Sequence, residues 1–427
     1  MSTGTLPLQQ RPVQVRAWLK SNLALVLLLL TLLLFASKSL YNLPVAIMAL
    51  LGLWRTISRS HAVFSDPAIR TYVILFMSLW LPLLFSLPDA VNVSHSARTV
   101  FPYLRFLFMG IYVLNERHRI KIFPLLQQIS FLIAIFWALD AVVQYLVGYN
   151  LFGYPYEQGH ITGMFYPDNT ITHILAALSP LYFDSVRRYA SKYPVAWLLI
   201  LPVFAVVLLG GRRAAWIMLA ISVTGYLYFL LRYTNTWQTA RNYLLLTGFA
   251  CVATLALLVN NNPSLQTRLE TTAGLFSLDY ELADQATARR LPIWETSVEI
   301  IRDHWFNGIG PRGFRHVYQQ YSTEDNYFHE IGTTHPHQLL LEVLTETGVL
   351  GLAGLLVFAW VFCRYFLTAT HLPLVYPAVI SVLVITFPLS SSLAFYGSYW
   401  STVIWWFLLY SFLALSPAVL PHATTST

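Results

Sequence analysis

Leu23-Ala24-Leu25-Val26-Leu27-Leu28-Leu29-Leu30-Thr31-Leu32-Leu33-Leu34-Phe35-Ala36 is an unbroken apolar run, and runs like it recur along the chain as far as Leu415. A membrane span needs about 20 predominantly apolar residues. With 56% hydrophobic residues, 11% charged and a mean hydropathy of +0.57, the chain belongs in lipid. The basic residues ahead of Leu23 resemble a secretory signal. No small-residue cleavage site follows and many further apolar runs do, so the first run is expected to stay as an uncleaved helix.

The pattern predicts an all-α integral membrane protein of about twelve spans, centred at about residues 30, 48, 79, 107, 134, 177, 201, 223, 251, 352, 382 and 406. Short cytoplasmic loops carry the excess of Lys and Arg. That places on the inside Arg11, Arg16, Lys20, Arg55, Arg59, Arg70, Arg117, Arg119, Lys121, Arg187, Arg188, Lys192, Arg232, Arg241 and Arg364, and leaves outside Lys38, Arg98, Arg212 and Arg213. The expected division is 1–22 cytoplasmic, 23–260 spans one to nine, 261–336 a large outer loop, 337–416 the last three spans and 417–427 a cytoplasmic tail. The pI near 9.3 reflects loops that meet anionic lipid headgroups, not nucleic acid. Cys251 and Cys363 both fall in predicted spans and suit core packing. No repeat points to an inverted-repeat transporter.

The outer loop is too long and too patterned for a passive connector. A helix is expected from Pro292 to Asp303, with the proline in its first turn and Asn307-Gly308-Ile309-Gly310-Pro311 as the turn beyond it. Tyr318, Tyr321, Tyr327 and Phe328 then alternate with amide and acidic residues. That mixture suits either a sugar surface or a loop lying on the headgroup belt.

Arginine dominates the outer short-loop cations, and a guanidinium fits phosphate oxygens with paired, planar donors. Arg212 and Arg213 follow Gly210-Gly211 at the start of a predicted helix, where free backbone donors and the positive dipole end add to them. Arg289 and Arg290 precede the loop helix. Arg98 and Arg105 are seven residues apart and share a helix face; Arg105 is expected below the surface, where charge is costly, and Arg98 fits snorkelling equally well.

Asp140 and Gln144 at i and i+4, and His173, are polar groups inside spans, either functional or hydrogen-bonded between helices. His335-Pro336-His337-Gln338 opens the tenth span, with Pro336 in its first turn, Glu342 and Glu346 on one face below and Gly348 and Gly351 marking close packing. Glu342 and Glu346 either position an acceptor or pair with the arginines. His329 and Glu330 raise a metal reading, but the spacing is not His-Glu-x-x-His and no Asp-x-Asp is present. A histidine among arginines is kept neutral and able to accept a proton. General base is the better fit.

Arg213-Ala214-Ala215-Trp216, Arg290-Leu291-Pro292-Ile293-Trp294, Asn307-Gly308-Ile309-Gly310, and His337-Gln338 with Leu341, Glu346, Gly348 and Gly351 together resemble the O-antigen ligase family and its polymerase relatives. Asp140 to Gln144, Gly148-Tyr149-Asn150-Leu151-Phe152-Gly153 and Gly163 to Asn169 are similar to that family too. Arg212 departs from the small or hydroxyl residue often found before the motif arginine, and Gln338 from the usual asparagine or serine.

The resemblance implies a membrane glycosyltransferase of the lipid-donor, GT-C-like kind in a Gram-negative inner membrane, active on the periplasmic face. It would move O-antigen from undecaprenyl pyrophosphate to a sugar hydroxyl of lipid A-core and complete lipopolysaccharide, without cofactor or metal. His337 is then the expected catalytic base. Arg213 and Arg290, with Arg212, Arg289 and Arg105, are expected on the pyrophosphate; His335, Glu342, Asp140 and Gln144 are expected at the acceptor or in support. Polymerase, protein O-oligosaccharyltransferase and lipid-linked glycan transporter are the competing expectations.

Overall fold

The computed structural model describes residues 11–59, 63–117, 122–157, 160–234, 236–274, 278–367, 372–388 and 393–415. The expected start of the chain (residues 1–10), Arg119, Lys121 and the tail 417–427 lie outside the described residues.

A helix stands at each of the twelve expected centres: α1 (Arg11–Leu33), α2 (Asn42–Ser58), α3 (Pro67–Phe85), α4 (Val93–Glu116), α5 (Ile122–Val147), α6 (Ile171–Ala190), α7 (Ile200–Leu209), α8 (Arg213–Tyr233), α9 (Thr236–Asn261), then after the loop α14 (Leu339–Phe366), α15 (Leu372–Thr386) and α16 (Ser398–Ala414). Among the described residues five apolar helices, Pro67–Phe85, Val93–Glu116, Phe123–Val147, Arg213–Tyr233 and Leu339–Phe366, are long enough to cross a membrane. Others, such as Asn42–Ser58 and Val375–Thr386, are apolar but shorter. Both cysteines are free.

Short polar side chains start these helices. Asp66 accepts from the Ala68 amide at 2.9 Å ahead of Pro67, Asn92 from His95 at 2.9 Å, and Gln338 from Leu341 at 2.6 Å. Each satisfies an amide that the first helical turn leaves without a partner. Because Gln338 is the cap, α14 begins at Leu339, and Pro336 lies ahead of it instead of in its first turn.

Helix α16 is the axis of the bundle, buried from Trp400 to Ala414. Its Trp405 indole donates to the Tyr103 hydroxyl at 3.1 Å and its Trp406 indole to the Leu28 carbonyl at 3.0 Å. Lipid tails are as apolar as leucine, so such bonds, about 0.6 kcal/mol each on average, select partners more than they drive association. Close approach does the rest. An added Cβ on Gly354 would lie 2.0 Å from the Ser78 carbonyl oxygen of α3, and one on Gly52 1.9 Å from that of Phe108 in α4.

The starts of α2, α4, α6, α8, α14 and α16 meet at one end of the bundle. Tyr41, Asn42 and Arg105 all bond Ser398 there, and the rings of His173 and Trp400 meet edge to face at 6.3 Å. Gly210 packs on Thr172, and Glu342 accepts from the Tyr396 amide. Six positive dipole ends therefore share this end.

The loop that covers it folds into α10 (Pro263–Ala273), α11 (Tyr280–Ala286), α12 (Leu291–Asp303) and α13 (Phe314–Tyr321). Ile293, Ile300, Ile309, Phe314, Val317 and Tyr318 give it a small core of its own. Tyr318 is thus structural, while Tyr327 is exposed.

The loop is also stitched into α14. Gly348 breaks that helix at φ 60° and ψ −157°. Around the break the Ile309 and Gly310 amides donate to the Thr345 and Glu346 carbonyls at 2.9 and 3.0 Å, and the Val349 and Leu350 amides to the Trp305 and Phe306 carbonyls at 2.9 and 3.3 Å. A Cβ on Gly308 would sit 2.4 Å from the Glu346 carbonyl carbon, and one on Gly348 2.3 Å from the Phe306 oxygen. Gly348 is expected from the sequence to mark helix packing. It is instead the slot that admits the Asn307-Gly308-Ile309-Gly310 turn.

Candidate functional site

Arginines at the two ends of the bundle live differently. Away from the loop, Arg55 pairs with Glu116, Arg117 with Asp66, and Arg187 and Arg188 with Asp184 at 2.8 and 2.9 Å. At the loop end, none of Arg98, Arg105, Arg212, Arg213, Arg268, Arg290, Arg312 and Arg315 is in an ion pair among the described residues. Arg105, Arg213, Arg268, Arg290 and Arg312 are half-buried and Arg98, Arg212 and Arg315 exposed; cations partly withdrawn from water without counter-ions are costly unless a ligand supplies the charge.

Arg212 caps α8 in an extended conformation and Arg213 is its first residue. The turn before them is fixed from below: Asn169 donates to the Gly210 carbonyl at 2.8 Å. A Cβ on Gly210 would fall 2.0 Å from the Thr172 methyl, and Gly211 holds φ +64° directly against the Arg268 guanidinium, 1.3 Å from where its Cβ would be. Only glycine fits both the left-handed backbone and the contact. Arg213 is oriented by the loop, with Nε donating to the Thr272 hydroxyl at 2.9 Å, Nη2 to Thr271 at 2.6 Å and Nη1 to the Gln285 carbonyl at 3.1 Å.

The neighbouring pair divides. Arg289, at φ 59°, lays its guanidinium 4.6 Å over the Tyr327 ring. Arg290 turns inward, where burial, then Arg212 and Arg213, push its guanidinium down to about 10. Arg212 is lowered by burial and then by Arg268. The four guanidinia of Arg212, Arg213, Arg268 and Arg290 thus act on one another electrostatically.

Trp294, one turn along α12, donates its indole N–H to the Pro336 carbonyl at 3.1 Å. This fastens the helix that Arg290 caps to the turn carrying His335 and His337, whose rings lie 3.9 Å apart. His337 itself has φ 54°. A non-glycine residue held there stores strain, which persists where the surroundings enforce it and is common at working sites.

The remaining expected residues fall elsewhere. Asp140 accepts from the Asn150 side chain and the Leu151 amide, both at 3.0 Å. Gln144 accepts from the Thr162 and Gly163 amides at 2.9 and 2.8 Å. They hold the 148–163 loop against α5 instead of joining two helices. Glu346 accepts the Arg312 amide at 2.8 Å and Glu342 the Tyr396 amide at 3.3 Å; the second oxygen of each is buried without a hydrogen-bond partner among the described residues. Arg105 donates to Ser398 at 2.8 Å and lines a cavity with Arg98 whose walls include none of Arg212, Arg213, Arg268 and Arg290. No three His, Cys, Asp or Glu side chains gather among the described residues.

Sequence reasoning misses Arg268 and His160. The His160 imidazole is held below its ordinary value by burial, then by Arg268 and Arg212. Both are isolated in sequence. Arg268 is legible only as the single cation on α10, three residues before the first of the hydroxyls that bind Arg213.

Fold and site together describe a helical protein of the multi-pass membrane kind, with a group of four guanidinia where the 263–303 segment meets the start of α8. Residues 197–356 match the family model described as O-antigen ligase, which supports a relationship to that family. The matched stretch holds Arg212, Arg213, Arg268, Arg290 and His337; Arg98, Arg105, Asp140 and Gln144 lie outside it. The family comprises ligases and polymerases of the glycosyltransferase kind that act on lipid-linked polysaccharide. No curated protein matches the chain.

Proposed function

We propose that the chain is an O-antigen ligase: it moves polysaccharide from undecaprenyl pyrophosphate to a hydroxyl of lipid A-core at the periplasmic face of a Gram-negative inner membrane. In this reading all twelve helices cross the membrane in a GT-C-like arrangement, with residues 261–336 as the periplasmic loop. The observation that carries it is the group Arg212, Arg213, Arg268 and Arg290, mutually repelling and without carboxylate partners among the described residues, tied through Trp294 to the His337 turn.

The acceptor oxygen attacks the anomeric carbon while the bond from that carbon to the pyrophosphate oxygen breaks. The electron pair stays on the pyrophosphate, where the guanidinia stabilise the charge, commonly the largest catalytic term. The acceptor proton passes to the His337 imidazole, a transfer typically worth about 10²- to 10⁴-fold. One displacement inverts the anomeric centre. No step is assigned to a metal, and Arg289 is left to position Tyr327.

Reconstitution with a defined lipid-pyrophosphate glycan tests this, offering truncated core glycolipid, a second lipid-linked glycan or a Ser/Thr peptide separately, with and without chelator. Transfer to the core with an inverted linkage and no loss to chelator is expected. Extension of the second lipid-linked glycan alone makes the chain a polymerase, and glycosylated peptide makes it a protein glycosyltransferase. Unchanged donor crossing the bilayer makes it a transporter.

A further inference from the structure

A cationic cavity of about 230 Å³ opens between the N-terminal part of α4, the start of α16 and the segment after Pro311. Arg98, Arg105, Arg312 and Arg315 line it, together with Tyr103 and Ser398. One water needs only about 10–15 Å³. Arg98 and Arg315 are exposed at the rim, whereas Arg105 and Arg312 are half-buried further in. Arg105 Nε and Arg312 Nη1 are buried without hydrogen-bond partners among the described residues.

The Arg105 guanidinium and the Arg312 backbone are held in place without a side-chain ion pair among the described residues, while the buried Glu342 and Glu346 act on Arg312 electrostatically. Arg105 is fixed by Ser398 at 2.8 Å and by the Phe106 ring at 4.5 Å. Arg312 stands at φ 62°, its amide bound by Glu346 at 2.8 Å while Ser96 holds the preceding carbonyl, that of Pro311, at 3.0 Å. Strained backbone, unpartnered donors and four guanidinia around one space describe a preorganised receptor for an anion. The planar, paired donors favour phosphate oxygens.

We infer that this cavity binds a phosphate monoester carried by the acceptor glycolipid, separately from the group around Arg212 that takes the donor's pyrophosphate. The identity of the acceptor rests on the function proposed above; the anion site itself does not. Two anionic substrates would then be sorted by two groups of arginines at the same end of the bundle.

The test pairs one core glycolipid, intact or stripped of its phosphates by phosphatase, with wild type, Arg105→Gln, Arg312→Gln and Arg315→Gln in zwitterionic nanodiscs. Binding of each glycolipid is measured directly, and transfer in parallel. Wild type is expected to prefer the phosphorylated form by roughly tenfold in Kd and KM, and each variant to lose most of that preference, as expected for deletion of a charge-assisted contact. Arg315 is exposed, so its variant keeps the test informative if Arg105→Gln fails to insert.

A preference that survives in correctly folded variants overturns the inference. So does wild-type indifference to acceptor phosphate, including the case where added anionic phospholipid alone competes in an Arg315-dependent manner, which makes the cavity a lipid headgroup site. Arginine-dependent binding without any transfer supports the cavity and refutes the ligase reading. Transfer that ignores the acceptor's phosphates does the reverse.

Discussion

Trp294 reaches across the loop and donates its indole N–H to the carbonyl of Pro336 at 3.1 Å. The helix that Arg290 caps and the turn that presents His337 are thereby registered to one another. The two residues lie far apart in the chain, and only the fold brings their segments together.

Trp294→Phe keeps an aromatic ring and removes the donor. Transfer is expected to fall about tenfold through kcat, with donor KM nearly unchanged and a stability loss of about 1 kcal/mol. Wild-type kcat in Trp294→Phe, with a fall only in Trp294→Leu, would reduce the residue to ring packing.

His337→Asn separates strain from chemistry. Asparagine is well tolerated at positive φ, so the variant should be at least as thermally stable as wild type while transfer drops by about 10²-fold or more. Retained activity would remove His337 from the proton path.

Arg290 has a pH signature. Its folded-state value of about 10 lies below the ordinary guanidinium value, so its half-buried charge opposes folding fully below pH 10, and that cost is relieved as pH rises above about 10. Ligand-free Arg290→Gln should therefore melt at or above the wild-type temperature at pH 7 to 8. Added pyrophosphate should protect wild type, less so at high salt, and protect the variant little. Equal protection of both would argue against this phosphate role.

Arg268→Gln should raise donor KM by roughly tenfold and leave acceptor KM alone, because the guanidinium lies against Gly211 beside Arg212 and Arg213. A change confined to the acceptor would place Arg268 elsewhere in the reaction.

Gly308→Ala and Gly348→Ala should each destabilise the fold by more than about 1–3 kcal/mol, since each added methyl meets backbone that cannot yield and each site has positive φ. Size-exclusion profiles and melting curves of the two variants check this. A normal profile for both would mean that the loop does not occupy the break.

The twelve helix positions are legible in the sequence because apolar runs and polar connectors follow directly from the physics of burial in lipid. So are Arg212, Arg213 and Arg290, whose local setting of glycines and a helix start carries its own meaning. Arg268, Arg312 and Arg315 are not, because arginines on or beside short helices of a long connector carry no pattern that betrays which distant neighbours they will meet. Gly348 reads as a packing glycine for a related reason: a missing side chain announces close approach but not what approaches, and here a distant turn does.

The exchange of backbone bonds at Gly348 sets where this protein can be cut and rejoined. A chimaera that transplants the loop alone would strand the Val349 and Leu350 amides and the Thr345 and Glu346 carbonyls, all now satisfied by the 305–310 segment. The transplantable unit therefore runs past the loop's nominal end and includes roughly the first three turns of α14, so the graft boundary belongs inside the helix.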